Sequence, residues 1–274
     1  MQVRPAFRRR ALTEDRRPWT AGGELYYNPV PMRIQADLHV HTIASGHAFS
    51  TVAEIAREAR ARGLRAVGVA DHGPALPGGP HVYHFSALRF LPRVLDGVRI
   101  LRGVEANPVN ARGDLDLPDG LLARLDYAIV GFHEGCGLKA SNPRKNTKVL
   151  VAAMSRPKVR ILGHPGNPAF PVDVPALVAA ARAHGVALEI NNASFVNARR
   201  GSLETCHAIA AEAARVGAWI CLASDAHVAQ QVGVVDDAWE VASSAGVRPE
   251  QVINRSWDTL CRFLELDPAE FEGG

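Results

Sequence analysis

The sequence predicts a parallel α/β barrel, and three observations carry that expectation. From Ile34 onward, short apolar runs of strand length alternate with helical patterns. These strand–helix units recur about seven times at roughly 33 residues each, the length of a βα repeat. Neither a G-x-G-x-x-G turn nor a P-loop is present to support the alternative, an open doubly wound sheet. A chain of 274 residues suits one such domain, since α/β barrels routinely reach about 200–250 residues.

Residues 1–33 precede the pattern and show neither helical nor strand periodicity. They are read as a largely irregular extension ahead of a domain spanning 34–268, with Met32 placed as a natural start. The alternative is a short arm packing on the domain through Trp19, Tyr26 and Tyr27. Strands are expected at 34–40, 66–71, 98–105, 126–132, 159–163, 186–191 and 218–224. Helices are expected near 52–62, 119–124, 144–155, 174–184, 203–216, 235–245 and 257–265. Thr51 and Glu54 form a T-x-x-E capping box, and Gly63 closes the same helix. Asp173 and Gly185 bracket the 174–184 helix, as Ser202 and Gly217 bracket 203–216. His184 suits the end of its helix, and His207, inside a helix, is read as structural.

Composition narrows the class. The chain is 47% hydrophobic and 22% charged, so it can bury a sizeable core. Its net charge of +3 comes from the first 31 residues, where Arg4, Arg8, Arg9, Arg10, Arg16 and Arg17 face Glu14, Asp15 and Glu24. The remainder is neutral, with 25 basic and 25 acidic residues, which makes nucleic acid an unlikely partner. Cys136, Cys206, Cys221 and Cys261 form no C-x-x-C pair, so neither a disulfide framework nor a cysteine zinc site is expected, and a cytoplasmic setting follows. No apolar run has the length to cross a bilayer, and the arginine-rich start lacks the apolar core of a secretory signal.

The histidines carry the chemistry. The first expected strand ends Asp37-Leu38-His39-Val40-His41, with His47 in the loop beyond it. Later strands end at Asp71-His72, Glu105, His133 and His164, and the last runs into Asp225-Ala226-His227. Nine potential ligands thus fall at or just past strand C-termini, which converge on one rim of a barrel. Side chains two apart on a strand share a face, so Asp37, His39 and His41 should point together, as should Asp225 and His227. One such histidine would be incidental; nine at one rim call for metal. Imidazole and carboxylate suit Zn, Mn or Fe better than Mg or Ca. Nine ligands also exceed the three or four of a single zinc, so more than one ion is expected. Paired ions about 3.5–4 Å apart clamp an in-line displacement and activate water, so no serine or cysteine nucleophile is needed.

The segments D-L-H-x-H-T, D-H-G-P, G-x-E-A-N, G-F-H-E, H-P-G-N-P, E-I-N-N and S-D-A-H, in this order, resemble the polymerase and histidinol phosphatase (PHP) family. Within it they resemble the bacterial YcdX-type phosphatase branch, over about residues 35–265. The resemblance implies a distorted (βα)7 TIM-like barrel with three divalent transition-metal ions, zinc foremost and Mn or Fe as alternatives. Carried over residue by residue, it implies one ion on His39, His41, Glu105 and Asp225. A second would share Glu105 with His133 and His164, and a third would sit on His47, His72 and His227. The implied activity is hydrolysis of a small phosphate monoester. Alternatives keep the metals and change the bond, to a phosphodiester or an amide, or keep the metals without catalysis. Amidohydrolases typically place a carboxylated lysine on the fourth strand, where this chain has His133.

Asp71, Glu105 and Asp225 are read as the catalytic carboxylates, with Asp71 either orienting a ligand or donating a proton to the leaving group. Asp37 is a further orienting candidate. His81, His84, Arg89 and Arg93 belong to a loop that is either a lid touching substrate or a solvated segment. Asn191 and Asn192 are read as substrate or phosphate contacts, and Arg144, Lys145 and Arg199 as rival phosphate holders.

Overall fold

Strands buried on both faces read as continuous apolar runs, and that is how these segments fold. The computed structural model describes residues 32–196 and 198–272, together with two short strands ahead of them. Those two, β1 (Trp19–Ala21) and β2 (Glu24–Tyr26), pair antiparallel, Thr20 opposite Leu25. They interrupt a segment expected to be irregular, because Thr, Leu and Tyr flanking Gly22-Gly23 make a short hairpin signal that periodicity over 33 residues hides. The rest of the extension lies outside the described residues, as does any packing of Trp19, Tyr26 and Tyr27.

Residues 31–274 form one compact unit. Its strands are β3 (Ala36–Val40), β4 (Ala66–Val69), β5 (Val94–Leu95), β6 (Val98–Arg102), β7 (Glu105–Ala106), β8 (Ala128–Val130), β9 (Val159–Leu162), β10 (Ala187–Asn191) and β11 (Ile220–Ala223). One sheet runs β3-β4-β6-β5 and the other β7-β8-β9-β10-β11, parallel throughout except for β5. The expected strand 98–105 is therefore broken: β6 pairs with β4, and its continuation β7 pairs with β8. On the other side, a parallel bridge joins Val40 to Ala226, with the His41 N–H donating to Ala226 O at 2.9 Å. The two sheets thus make a distorted α/β barrel of seven parallel strands, counting β6 and β7 as one.

Tyr127 explains where the wall bends. Its ring is fully buried and its hydroxyl donates to Leu38 O at 2.5 Å. A Cβ on Gly68 would lie 2.0 Å from that hydroxyl, and one on Gly103, at the β6–β7 break, 2.5 Å from the ring. Glycine at both positions lets the backbone approach the ring. Alternate strand residues such as Leu38, Leu101, Ile129 and Ile161 form one apolar cluster with Trp257 and Leu260 of helix α9 (Trp257–Leu264). Their neighbours Val67, Ile100, Val130, Leu188 and Leu222 belong to a second cluster shared with the helices.

The main helices are α1 (Val52–Ala61), α4 (Pro143–Ala153), α5 (Val174–His184), α7 (Leu203–Val216) and α8 (Asp236–Ser244), with shorter α2 (Val82–Ala87), α3 (Asp119–Leu122) and α6 (Ala193–Val196). Thr51 and Glu54 make both hydrogen bonds of the capping box, and Asp173 accepts from the Ala176 N–H at 3.2 Å. Gly185 and Gly217 end α5 and α7 in the left-handed conformation. Ser202 stands at the N-cap of α7 but does not cap it; its hydroxyl donates to Arg199 O at 2.6 Å, shaping the loop before the helix instead. His184 lies in the last turn of α5, and His207 is on the exposed face of α7.

Candidate metal centre

The C-terminal strand ends deliver the nine residues to one place. His39, on β3, and His41, just beyond it, have ring centroids 5.0 Å apart. Glu105 opens β7, His72 follows β4, His133 follows β8 and His164 follows β9. Asp225 and His227 follow β11, with His227 Nδ1 3.6 Å from Asp225 Oδ1. His39, His41, His72, Glu105, His164 and Asp225 are buried, each at most 3% exposed. His47 is exposed in its loop, its ring 4.9 Å from those of His72 and His227.

Glu105 sits at the middle, and its two oxygens face different imidazoles. Oε1 lies 2.7 Å from His164 Nε2 and 3.2 Å from His133 Nε2. Oε2 lies 2.7 Å from His72 Nδ1, 3.2 Å from His39 Nε2 and 3.5 Å from His41 Nε2. Asp225 Oδ1 completes the inner group, 3.2 Å from His41 Nε2 and 3.6 Å from His39 Nε2. His72 stands between two groupings, its ring stacked on His47 while Nδ1 reaches Glu105.

These atoms fit a cation. Six of them, His39 Nε2, His41 Nε2, His72 Nδ1, His133 Nε2, Glu105 Oε2 and Asp225 Oδ1, are buried without a hydrogen bond. Buried polar atoms left unpaired cost about 1–3 kcal/mol each, so six converging ones point to a missing partner. Among the described residues, sets of three possible ligand atoms lie within 4.8 Å of one another: His41, His72, His227; His39, His41, Asp225; and His72, Glu105, His133. Nitrogen and carboxylate donors in this mix suit a divalent transition metal.

Electrostatics agrees. Burial raises the carboxyl of Glu105, but His133, His39 and His72 hold it well below the usual range. Burial likewise works against Asp225, and His39 and Arg199 hold it far down. Burial and neighbouring His72 lower His41 to about 3, and burial with Arg199 lowers His164 to about 4, so both rings are neutral and ready to ligate. Burial would lower His39 too, but Glu189, Glu105 and Asp225 raise it well above its ordinary value.

The second nitrogens of these rings are held from behind. His39 Nδ1 donates to Glu189 Oε1 at 2.6 Å, which leaves Nε2 facing the centre. Glu189 Oε2 accepts from the His164 N–H at 2.6 Å and from Asn191 Nδ2 at 3.2 Å, so one carboxyl braces two ligand strands. Glu189 lies in the E-I-N-N segment and has no expected role from sequence; the one signal there is a lone acid within an apolar strand run, which the fold buries completely. His41 Nδ1 lies 3.0 Å from Ser45 Oγ, and His133 Nδ1 lies 2.7 Å from Asn107 Oδ1. His164 and Asp225 have φ of +32° and +55°, conformations unusual for side-chain-bearing residues and common where a site constrains the backbone.

Other expected residues take different places. A register shift between Asp37 and Val40 breaks the alternation on β3, and the Asp37 carboxylate turns to Ser224 Oγ (2.5 Å) and the Gly233 N–H (2.7 Å), touching no imidazole. Asp71 accepts from the Thr42 N–H and Oγ1, Ser45 Oγ and His84 Nε2 at 2.7–3.0 Å. Burial raises its carboxyl, but His84 and the remaining partners bring it to about 2. His81 caps α2, Arg89 lies over the Phe90 ring, and Arg93 forms a two-pronged pair with Asp126. Asn191 is engaged by Glu189, Asp225 and Ser194, and the Asn192 side-chain oxygen accepts from the Ala238 N–H, so both brace the rim.

A cleft of ≈ 330 Å³ opens over the cluster, lined by His47, His72, His133, Arg199, Asp225 and His227 among others. Arg199 Nη1 donates to Asp225 Oδ2 at 2.9 Å. Arg144 and Lys145 are exposed in the first turn of α4 and do not line the cleft.

Barrel and rim together define a metal-dependent hydrolase. The chain belongs to the PHP domain family, whose sequence profile matches residues 37–197. It is 43% identical to a probable phosphatase of Caldanaerobacter subterraneus subsp. tengcongensis, over 89% of this chain and 96% of that one. It is 41% identical to the probable phosphatase YcdX of Escherichia coli O81, over 84% and 93%. A crystal structure of histidinol phosphate phosphatase from Lactococcus lactis, with zinc, L-histidinol and phosphate, shares the fold at a TM-score of 0.53 and 16% identity, over 78% of this chain and 94% of that one. No helix among the described residues is long and apolar enough to cross a membrane.

Proposed function

We propose that this protein hydrolyses a small phosphate monoester at a cluster of three divalent transition-metal ions, with zinc the best-suited ion and Mn or Fe the alternatives. The observation that carries the reading is the convergence of six unpaired buried ligand atoms around Glu105 and Asp225. In this reading His39, His41, Glu105 and Asp225 hold one ion, Glu105, His133 and His164 a second, and His47, His72 and His227 the third. The opposed Glu105 oxygens favour its sharing between the first two. When bound, the ions supply positive charge to the phosphoryl oxygens and activate water for attack. The ≈ 330 Å³ cleft suits a small substrate rather than a nucleic acid, and the four buried free cysteines suit a cytoplasmic setting.

The chain's own groups do the positioning. Glu189 and Asn107 aim His39 and His133 at the centre. Asp71, held ionised, orders the Thr42–Ser45 turn rather than supplying a proton. Arg199, at the cleft wall beside Asp225, holds a phosphoryl oxygen. Losing a charge-assisted hydrogen bond there costs roughly 1.5–3 kcal/mol, so Arg199→Met should raise KM about 10- to 100-fold. An unchanged KM with metal intact sinks this role.

The test of the whole reading is elemental analysis paired with phosphate release from a panel of phosphomonoesters, phosphodiesters and short oligonucleotides. It is run on the full chain and on one beginning at Met32, because residues 34–268 are proposed as the catalytic domain. Two to three ions per chain and monoester turnover by both forms are expected. One ion or fewer after metal supplementation, or cleavage of diesters alone, overturns the reading. Loss of soluble protein from the shorter form shows that residues 1–31 belong to the domain.

A further inference from the structure

Outside the rim, Asp116 sits in the loop between β7 and α3 and gathers three contacts, all from donors. Its Oδ1 accepts from the Asn107 backbone N–H at 2.9 Å. Its Oδ2 accepts from Asn107 Nδ2 at 2.8 Å and from the Ala75 N–H at 3.1 Å. The loop that carries His72 is fitted around this carboxylate: a Cβ on Gly73 would fall 2.2 Å from Asp116 Oδ2.

A carboxylate in this arrangement can only accept, and that decides the orientation of the Asn107 amide. Its NH2 must face Asp116, so its oxygen must face His133, whose Nδ1 lies 2.7 Å away. An amide oxygen also only accepts, so Nδ1 of His133 carries the proton. The lone pair is then on Nε2, 3.2 Å from Glu105 Oε1 and without a hydrogen bond. With the amide reversed, the NH2 would meet Nδ1, and the proton would move to Nε2, where it would block ligation.

We propose that Asp116 is a positioning residue of the metal centre: by orienting the Asn107 amide it fixes the Nδ1–H tautomer of His133. The role rests on reading His133 as a ligand. Asp116 also ties the β4–α2 loop, through Ala75, to the same amide, so the approach of His72 and the tautomer of His133 share one support.

Long-range ¹H–¹⁵N NMR of ¹⁵N-histidine-labelled full-length protein, after chelation, reads the tautomer directly. Zinc affinity is read by competition with a chromophoric chelator. Wild type is expected to show His133 as the Nδ1–H form alone. Asp116→Asn offers one acceptor oxygen where two stood, so its NH2 is set against either the Asn107 backbone N–H or the Asn107 NH2. It should therefore give mixed tautomers and about 10- to 100-fold weaker binding of one zinc ion. Adding Asn107→Asp to Asp116→Asn moves the carboxylate next to His133 and lets the new amide donate to it. This double variant should restore the Nδ1–H form and most of the affinity, a rescue that a merely structural role does not predict. Folded Asp116→Asn with wild-type tautomer and affinity overturns the proposal, as does a folded double variant no better than the single. His133→Gln reports separately on the ligand reading: if it keeps every ion, His133 is not a ligand, while the tautomer data still decide what Asp116 does.

Discussion

Glu105→Gln is expected to remove at least one metal ion and to lower kcat by on the order of 10³-fold or more, beyond what losing a single preorganised donor costs. The side chain is fully buried, with one oxygen toward His133 and His164 and the other toward His39, His41 and His72. An amide keeps the shape but removes the negative charge that two cations would share in the proposed reading, and its NH2 cannot ligate. The cations would then repel each other with less between them, and one would leave. His207→Gln, on the exposed face of α7, should keep its metal and its rate. Circular dichroism guards against misreading a fold defect. A folded Glu105→Gln with full metal content and near-normal turnover means the shared-carboxylate assignment is wrong.

Metal removal is the second large effect. Chelation should abolish turnover and lower Tm, and zinc, manganese or iron should restore both. At about 1,000 Kd of free ion, each site contributes roughly 4 kcal/mol of linkage stability. A domain of this size shifts by about 2–4 °C per kcal/mol, so a fall of about 8–16 °C is expected for each ion removed. The direction follows from the site itself. Glu105 and Asp225 are buried beside one another, and without the ions only imidazoles and Arg199 offset their charge. A chelated protein that keeps both its turnover and its Tm rules out metal dependence.

Residue by residue, the rim was legible and its supports were not. Histidine or acid at the ends of six of the seven expected strands forms a local pattern: strand period and loop position suffice to place His39, His41, His72, Glu105 and His164 on one edge of a barrel. The same logic misplaced Asp37, because alternation assumes an unbroken register and β3 shifts between Asp37 and Val40. It also treated 98–105 as one strand, since nothing local says that Tyr127 presses on Gly103 and turns the wall. Among the three candidate phosphate holders, only the folded cleft separates Arg199 from Arg144 and Lys145.

The sequence by itself determined the barrel class and the order of the candidate ligands along the chain, because these depend on composition and on periods of two and 3.6 residues. Tertiary structure alone decided which nitrogen of His39 and of His133 faces the centre. That choice is made by the partner of the other nitrogen, and for these two rings the partner comes from a distant segment. Glu189 reaches His39 across 150 positions, and Asn107 reaches His133 across 26. A hydrogen bond between residues so far apart exists only once the strands have closed, and no local pattern in the chain encodes it.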